Sequence, residues 1–171
     1  MNENIKQVYN ELVQVLDNEI KIYRSLLDVV RKEKDILVSA HLDDLSENNK
    51  AKEALLIKVR SLETQRIRLA TEVCSKLNLD IENPRLLDIA VALDNIEGEH
   101  LRTLHSVLDL LLKRIHEFNK QNESLVKSAL HNITGALKAI KNSLDENPVY
   151  KKQGKKVEGK TSSGQLVSRE A

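Results

Sequence analysis

The feature that most constrains the fold is the segment from Leu101 to Leu144, which contains no proline and a single glycine, Gly135. Its apolar residues recur every three or four positions, the spacing of one helix face packed against other helices. They are Leu101, Leu104, Leu108, Leu111, Ile115 and Phe118, then Val126, Leu130, Ile133, Leu137, Ile140 and Leu144. Consecutive steps of four at Asn122 and Val126 form a stutter, which locally unwinds a coiled coil. The sequence predicts a long final helix that ends near Glu146, because helical geometry is disfavoured before Pro148.

Two further long helices are predicted to form a hairpin. The first runs from about Asn4 to about Ser39, and the second begins at Asp43 or Asp44 and carries apolar residues at helical spacing up to Leu77. The polar residues 46–53 indicate that the start of the second helix is solvated.

Two charged residues fall within the apolar faces of the hairpin. We expect Glu19 to lie at the rim of the core, with its carboxylate solvated or paired. We expect Arg66 to extend its guanidinium to solvent or to pair with Glu63 one turn earlier.

A short apolar segment is predicted between the hairpin and the final helix. Asn83 can cap a helix whose first residue is Pro84, and the segment then continues to Leu93. Residues 94–98 indicate either a kink or a break before the final helix, and propensity does not separate these alternatives.

Composition agrees with a helical fold. Of 171 residues, 40% are apolar and 31% charged, and five glycines and two prolines are too few for the frequent turns of sheets. We therefore predict an all-α fold, an elongated antiparallel hairpin or bundle of three to four helices with a long C-terminal helix. Residues 1–150 form the helical domain, and residues 151–171 form a basic tail that we expect to be disordered.

The charge distribution argues against several classes of partner and location. Residues 1–150 carry 21 Lys and Arg against 24 Asp and Glu, so the domain lacks the basic surface that nucleic acids require. The single cysteine, Cys74, excludes an internal disulfide and favours a reducing cytoplasm. Because there is neither an apolar signal core nor a run of about 18 apolar residues, we expect no membrane insertion and no signal-dependent secretion.

Motifs that would indicate an enzyme are weak. Glu97 and His100 form one Glu-x-x-His pair, but helical di-iron sites need two such pairs and further glutamates. Nothing near Cys74 is expected to lower its thiol pKa specifically. The sequence therefore predicts a protein without catalytic activity, metal or cofactor.

Polar residues and excess length single out the final helix. Asn119 and Asn122 lie one turn apart beside the stutter, either paired within the chain's own bundle or available to align an incoming helix. The final helix exceeds each hairpin helix by roughly 12 residues, or about 18 Å. We expect its last apolar residues to be exposed and to bind a protein, unless the tail or a second copy of the chain covers them.

Three motifs resemble the FlgN family, the export chaperones of flagellar hook-associated proteins. They are Leu62-Glu63-x-x-Arg66-x-x-Leu69, then Asn119-x-x-Asn122-x-x-Leu125-x-x-Ser128, and finally Tyr150 followed by Gly154. Their order and spacing support a resemblance over about residues 1–156.

The resemblance implies a cytoplasmic helical chaperone that binds the C-terminal amphipathic helices of hook-filament junction proteins and delivers them to the type III export gate. It implies that Tyr150 contacts the gate. It also implies client contacts along residues 119–144, at Asn119, Asn122, Val126, Leu130, Ile133, Leu137, Ile140 and Leu144. The alternative is a structural or adaptor coiled-coil protein with no export role, which forms a homodimer through the exposed helix face.

Overall fold

The computed structural model describes residues 3–41 and 43–146, with side chains as far as Leu144. Four helices account for the regular structure of this part: α1 (Glu3–Ser39), α2 (Asp43–Lys76), α3 (Leu86–Leu93) and α4 (Ile96–Glu146). The predicted all-α class is confirmed. The chain divides into two compact units, residues 1–126 and residues 127–171. Residues 147–171, which include Tyr150 and the basic tail, lie outside the described part.

The hydrophobic core of the first unit draws on all four helices. The apolar spacing that predicts each helix also supplies the core, because residues three and four apart share one helix face. The largest core side chains with exposure below 2% are Leu12, Leu16, Val30, Val73, Cys74, Ile89 and Leu101. Further along α4, the core includes Leu104, Leu108, Leu111 and Ile115.

The start of α2, which follows the α1–α2 connection, is less exposed than the sequence predicted. Ala40 has a positive φ of 56°, which ends α1, and the Asp44 amide donates to the His41 carbonyl at 3.2 Å. The following polar turns are not wholly solvated, because Asn48 is only 3% exposed. Its Nδ2 donates to the carbonyl oxygen of Val29 at 3.2 Å. A polar residue can be buried where its amide satisfies a backbone group of the neighbouring helix.

The start of α3 lies two residues later than predicted. Pro84 is not its first residue and Asn83 does not cap it, because α3 begins at Leu86 with Arg85 at the N-cap position. The Arg85 amide donates to Oδ2 of Asp88 at 2.9 Å. The Asp88 carboxylate therefore satisfies a free backbone donor at this terminus, the role that the sequence assigned to Asn83.

The segment between α3 and α4 is a break rather than a kink. Asp94 adopts the left-handed conformation, with φ 40° and ψ 44°, and terminates α3. Oδ1 of Asn95 then accepts a hydrogen bond from the Gly98 amide at 3.1 Å, which caps the start of α4. Gly98 is buried, and a Cβ atom there would lie 2.5 Å from the carbonyl oxygen of Ala90. Glycine thus permits the close approach of α3 and α4.

Candidate partner-binding face

The second unit presents large aliphatic side chains at helical spacing. Leu130, Ile133, Leu137, Ile140 and Leu144 are between 57% and 70% exposed, and we call these five residues the C-terminal stripe. Every described side chain from residue 127 to residue 144 is exposed. Val126, the last residue of the first unit, is 49% exposed.

The spacing within the C-terminal stripe has a defined geometry. Its steps of three and four place leucines at positions 130, 137 and 144 and isoleucines at positions 133 and 140. This is the a and d pattern of a heptad repeat, in which each side chain inserts between residues of a facing helix. Full burial of one such side chain stabilises a complex by about 1.5–3 kcal/mol before ordering costs. The C-terminal stripe is therefore chemically suited to contact another amphipathic helix.

The structure places Asn119 and Asn122 in a polar cluster with α1 and α2. Asn122 is 4% exposed, and its Nδ2 donates to the carbonyl oxygen of Val30 and to Oε2 of Glu33, both at 3.0 Å. Nζ of Lys52 donates to the same Glu33 oxygen at 2.8 Å and to Oδ1 of Asn119 at 3.1 Å. Of the alternatives open at the sequence level, pairing within the chain's own bundle is the one observed.

This polar cluster lies at the end of the core. Phe118 is flanked by the cationic groups of Arg31 and Lys34, which lie 5.4 and 5.6 Å from the ring centroid. Oδ1 of Asn122 is buried and, within the described residues, has no hydrogen-bond donor. After Asn122, no described residue of α4 is buried. Asn122 therefore marks the last helical position at which α4 contributes a buried side chain.

A partly buried ion pair links α1 and α2. Nε of Arg66 donates to Oε1 of Glu19 at 3.2 Å, and its Nη2 lies 3.6 Å from Oε1 of Glu63. The Arg66–Glu63 pair is confirmed, and the Glu19 carboxylate is paired, which is one of the two alternatives expected for it. The rim position expected for Glu19 is wrong, because this residue is only 3% exposed. A cleft beside the pair is lined by Tyr23 and His105 among others. Glu19 and Arg66 interrupt the apolar faces of consecutive helices, a signal from which their pairing could have been found.

The Glu-x-x-His pair makes contacts within the first unit. The Tyr9 hydroxyl donates to the carbonyl oxygen of Glu97 at 3.0 Å and lies 3.4 Å from Nδ1 of His100. Across residues 3–41 and 43–146, no group of three or more His, Cys, Asp or Glu side chains is arranged to hold a metal ion. Burial, and secondarily the charge of Asp88, raise the pKa of the Cys74 thiol, which disfavours the thiolate.

The long helices differ from membrane spans in their hydropathy. A transmembrane helix needs about 20 consecutive residues that are predominantly apolar. Over the part of the chain that the structure describes, no helix combines the length and the apolar character needed to cross a membrane.

Comparison with known protein families gives a match over most of the chain. The family model described as FlgN protein matches residues 1–158, which is most of the chain. A search of curated proteins and a search of solved structures each gave no match. The family match agrees with the family resemblance that the sequence motifs indicate. The chain therefore belongs to the FlgN family of flagellar export chaperones.

Proposed function

We propose that this protein is a cytoplasmic chaperone that binds the C-terminal amphipathic helix of a flagellar hook-associated protein and delivers that client to the type III export gate. The observation that supports this proposal most directly is the exposure of the C-terminal stripe in a chain of this family. The protein acts by binding alone in this proposal, with no catalytic residue and no cofactor.

The client-binding surface is narrower than the one the sequence suggested. Asn119 and Asn122 are left out, because their amides are engaged by α1 and α2. Val126 borders the surface, and the C-terminal stripe supplies its apolar contacts. Contact of Tyr150 with the export gate stays a prediction, since this residue lies outside the described part.

Binding through the C-terminal stripe has a suitable energy. A client helix would bury aliphatic residues at every third or fourth position, the common way in which an amphipathic helix binds an apolar surface. Ordering of the two helices and loss of free translation offset most of the gain from burial. We expect a micromolar dissociation constant, which corresponds to a binding free energy of about −8 kcal/mol. Such a complex protects the client helix and still releases it at an export gate.

The test is the double substitution Leu137→Asp and Ile140→Asp, assayed with the C-terminal segment of a hook-associated protein. Two carboxylates in an apolar interface are expected to weaken binding by at least about 100-fold. Circular dichroism and the melting temperature should barely change, because both positions are more than half exposed. Isothermal titration calorimetry measures the affinity.

A matched control is Ile57→Asp with Ile67→Asp, two α2 residues that are 62% and 51% exposed. This control should bind the client as the unmodified protein does. The proposal fails if the α4 variant retains its affinity. It also fails if that variant unfolds, since the two residues would then belong to a core.

A further inference from the structure

The last part of α4 that packs against α1 and α2 is held largely by polar contacts. Ile115 is the last buried apolar residue of α4, and Asn122 is the only buried residue that the structure describes beyond it. We call residues 118–122 the anchoring turn. On its exposed side, Nζ of Lys34 donates to Oε1 of Gln121 at 2.8 Å. Its buried side belongs to the polar cluster formed with α1 and α2.

Two buried asparagines bind the backbone of α1 at neighbouring positions. Asn48 of α2 and Asn122 of α4, which are 3% and 4% exposed, donate to the carbonyl oxygens of residues 29 and 30, at 3.2 and 3.0 Å. Asn122 also donates to the carboxylate of Glu33, which accepts a further bond from Lys52. A buried asparagine whose amide is satisfied by a neighbouring helix fixes the register of the two helices. Asn122 therefore fixes the position of α4 on α1, as Asn48 does for α2.

The segment of α4 beyond the anchoring turn has little support of its own. Residues 127–144 are exposed throughout and belong to the second unit. Asn132, Thr134 and Gly135 in the middle of this segment have lower helix propensity than alanine. Starting a helix is costly, whereas extending an existing helix adds one hydrogen bond for each residue that is fixed. The helix of the second unit is therefore best formed as an extension of the packed part of α4.

We infer that Asn122 and Lys52 are positioning residues for client binding: they hold the anchoring turn on α1 and α2, and the helix that carries the C-terminal stripe extends from that turn. This inference rests on the proposed function, because it assumes that the C-terminal stripe binds the client. A client that meets a helix already formed loses less free energy to ordering. Loosening of the anchoring turn lowers the fraction of molecules with a helical C-terminal stripe, and the apparent affinity falls in proportion.

The first test is Asn122→Asp in the full chain. Aspartate has nearly the size and helix propensity of asparagine, but it cannot donate to the carbonyl oxygen of Val30 and it places a second carboxylate beside Glu33. Calorimetry with the C-terminal segment of a hook-associated protein should show about three- to tenfold weaker binding. Without the client, amide hydrogen exchange within residues 127–144 should accelerate, because their helix opens more often.

Asn48→Asp is the matched control. It removes the equivalent hydrogen bond between α2 and α1 and should lower the stability of the first unit, while exchange within residues 127–144 and client affinity stay unchanged. Lys52→Met is a milder second variant, which keeps the test available if Asn122→Asp does not fold. It removes the bonds to Glu33 and Asn119 from a side chain that is 24% exposed, and it should weaken client binding in the same way as Asn122→Asp.

Rescue by helix propensity distinguishes positioning from a purely structural role. Gly135→Ala adds a Cβ that meets nothing within 4 Å. Combined with Asn122→Asp, it should slow exchange within residues 127–144 and recover client affinity by about two- to fivefold. It should leave the unfolding midpoint of the first unit lowered, because residue 135 lies in the second unit. An absence of rescue, with exchange unchanged by Asn122→Asp, would overturn the inference.

Other outcomes separate this inference from the proposed function. Equal losses of client affinity in Asn122→Asp and Asn48→Asp would indicate general destabilisation and overturn the positioning role. If Leu137→Asp with Ile140→Asp abolishes client binding while Asn122→Asp and Lys52→Met leave it unchanged, the proposed function stands and the positioning role alone is overturned. If that double substitution leaves client binding intact, both the proposed function and the positioning role fail.

Discussion

At the scale of single residues, Glu19 shows that an ion pair need not favour the charged form of a buried carboxyl group. Arg66 donates one hydrogen bond to Oε1 of Glu19 and attracts its charge, both of which lower the pKa. Burial has the larger and opposite effect, so the pKa of Glu19 is raised above its ordinary value of 4.5. A single bond from a partly exposed guanidinium does not replace the hydration that the carboxylate loses.

The raised pKa predicts how stability depends on pH. The folded state holds the Glu19 proton more tightly than the unfolded chain, so this residue lowers the free energy of unfolding as pH rises from 4.5 through the raised value. We expect Glu19→Gln to match the unmodified protein below pH of about 4 and to exceed its stability at neutral pH, because glutamine carries no charge to desolvate. Urea unfolding across this pH range measures the difference.

Glu63→Gln serves as the control, since the side chain of Glu63 contacts the same Arg66 but is 53% exposed. It should change the pH dependence much less than Glu19→Gln. A Glu19→Gln variant that is less stable than the unmodified protein at neutral pH would show that attraction to Arg66 outweighs the cost of burial.

At the scale of helices, the two glycines of α4 should respond oppositely to alanine. Gly98→Ala places a Cβ 2.5 Å from the carbonyl oxygen of Ala90, so α3 and α4 must separate, at a cost of roughly 1–3 kcal/mol. Gly135→Ala meets nothing within 4 Å and should stabilise the second half of α4 by about 0.5–1 kcal/mol through helix propensity alone.

Chemical denaturation and helix content measured by circular dichroism distinguish the two glycine variants. Gly98→Ala should lower the unfolding midpoint of the first unit. Gly135→Ala should raise helix content without moving that midpoint, because residue 135 belongs to the second unit. If Gly98→Ala left the unfolding midpoint unchanged, that result would contradict the close approach of α3 to α4.

The helices themselves could be predicted because their signals are local. Steps of three and four predict α4 throughout Leu101–Leu144, although the apolar residues at these steps are buried as far as Ile115 and exposed from Val126 onward. Periodicity reports an apolar face and does not reveal what covers that face. The difference in burial was anticipated only from the unequal lengths of the helices.

The details that sequence reasoning missed depend on partners distant in the chain. Asn122 is satisfied by Val30 and Glu33, and Glu19 by Arg66, all on other helices. Such pairings follow from the packing of the helices rather than from local spacing. The start of α3 was misplaced for a different reason, since only the local signal Asn83-Pro84 was considered, whereas α3 begins at Leu86 and the Arg85 amide donates to the carboxylate of Asp88.

At the scale of the whole molecule, the two units carry different roles. Every buried hydrophobic residue in the described part of the chain precedes residue 127. The second unit contributes the exposed C-terminal stripe. Stability and proposed client binding therefore depend on different segments, which can be separated experimentally.

Deletion of residues 127–171 tests this separation. The fragment 1–126 keeps the whole described core, so its melting temperature should lie within about 5 °C of the full chain, a change of roughly 1 kcal/mol for a domain of this size. It should also lose binding of the client helix, because the C-terminal stripe is absent. Circular dichroism during heating and calorimetry with the client peptide give the two measurements. A fragment that is unfolded or much less stable would show that residues beyond Val126 support the core. A fragment that still binds the client would place the binding site in the first unit and remove the proposed role of the C-terminal stripe.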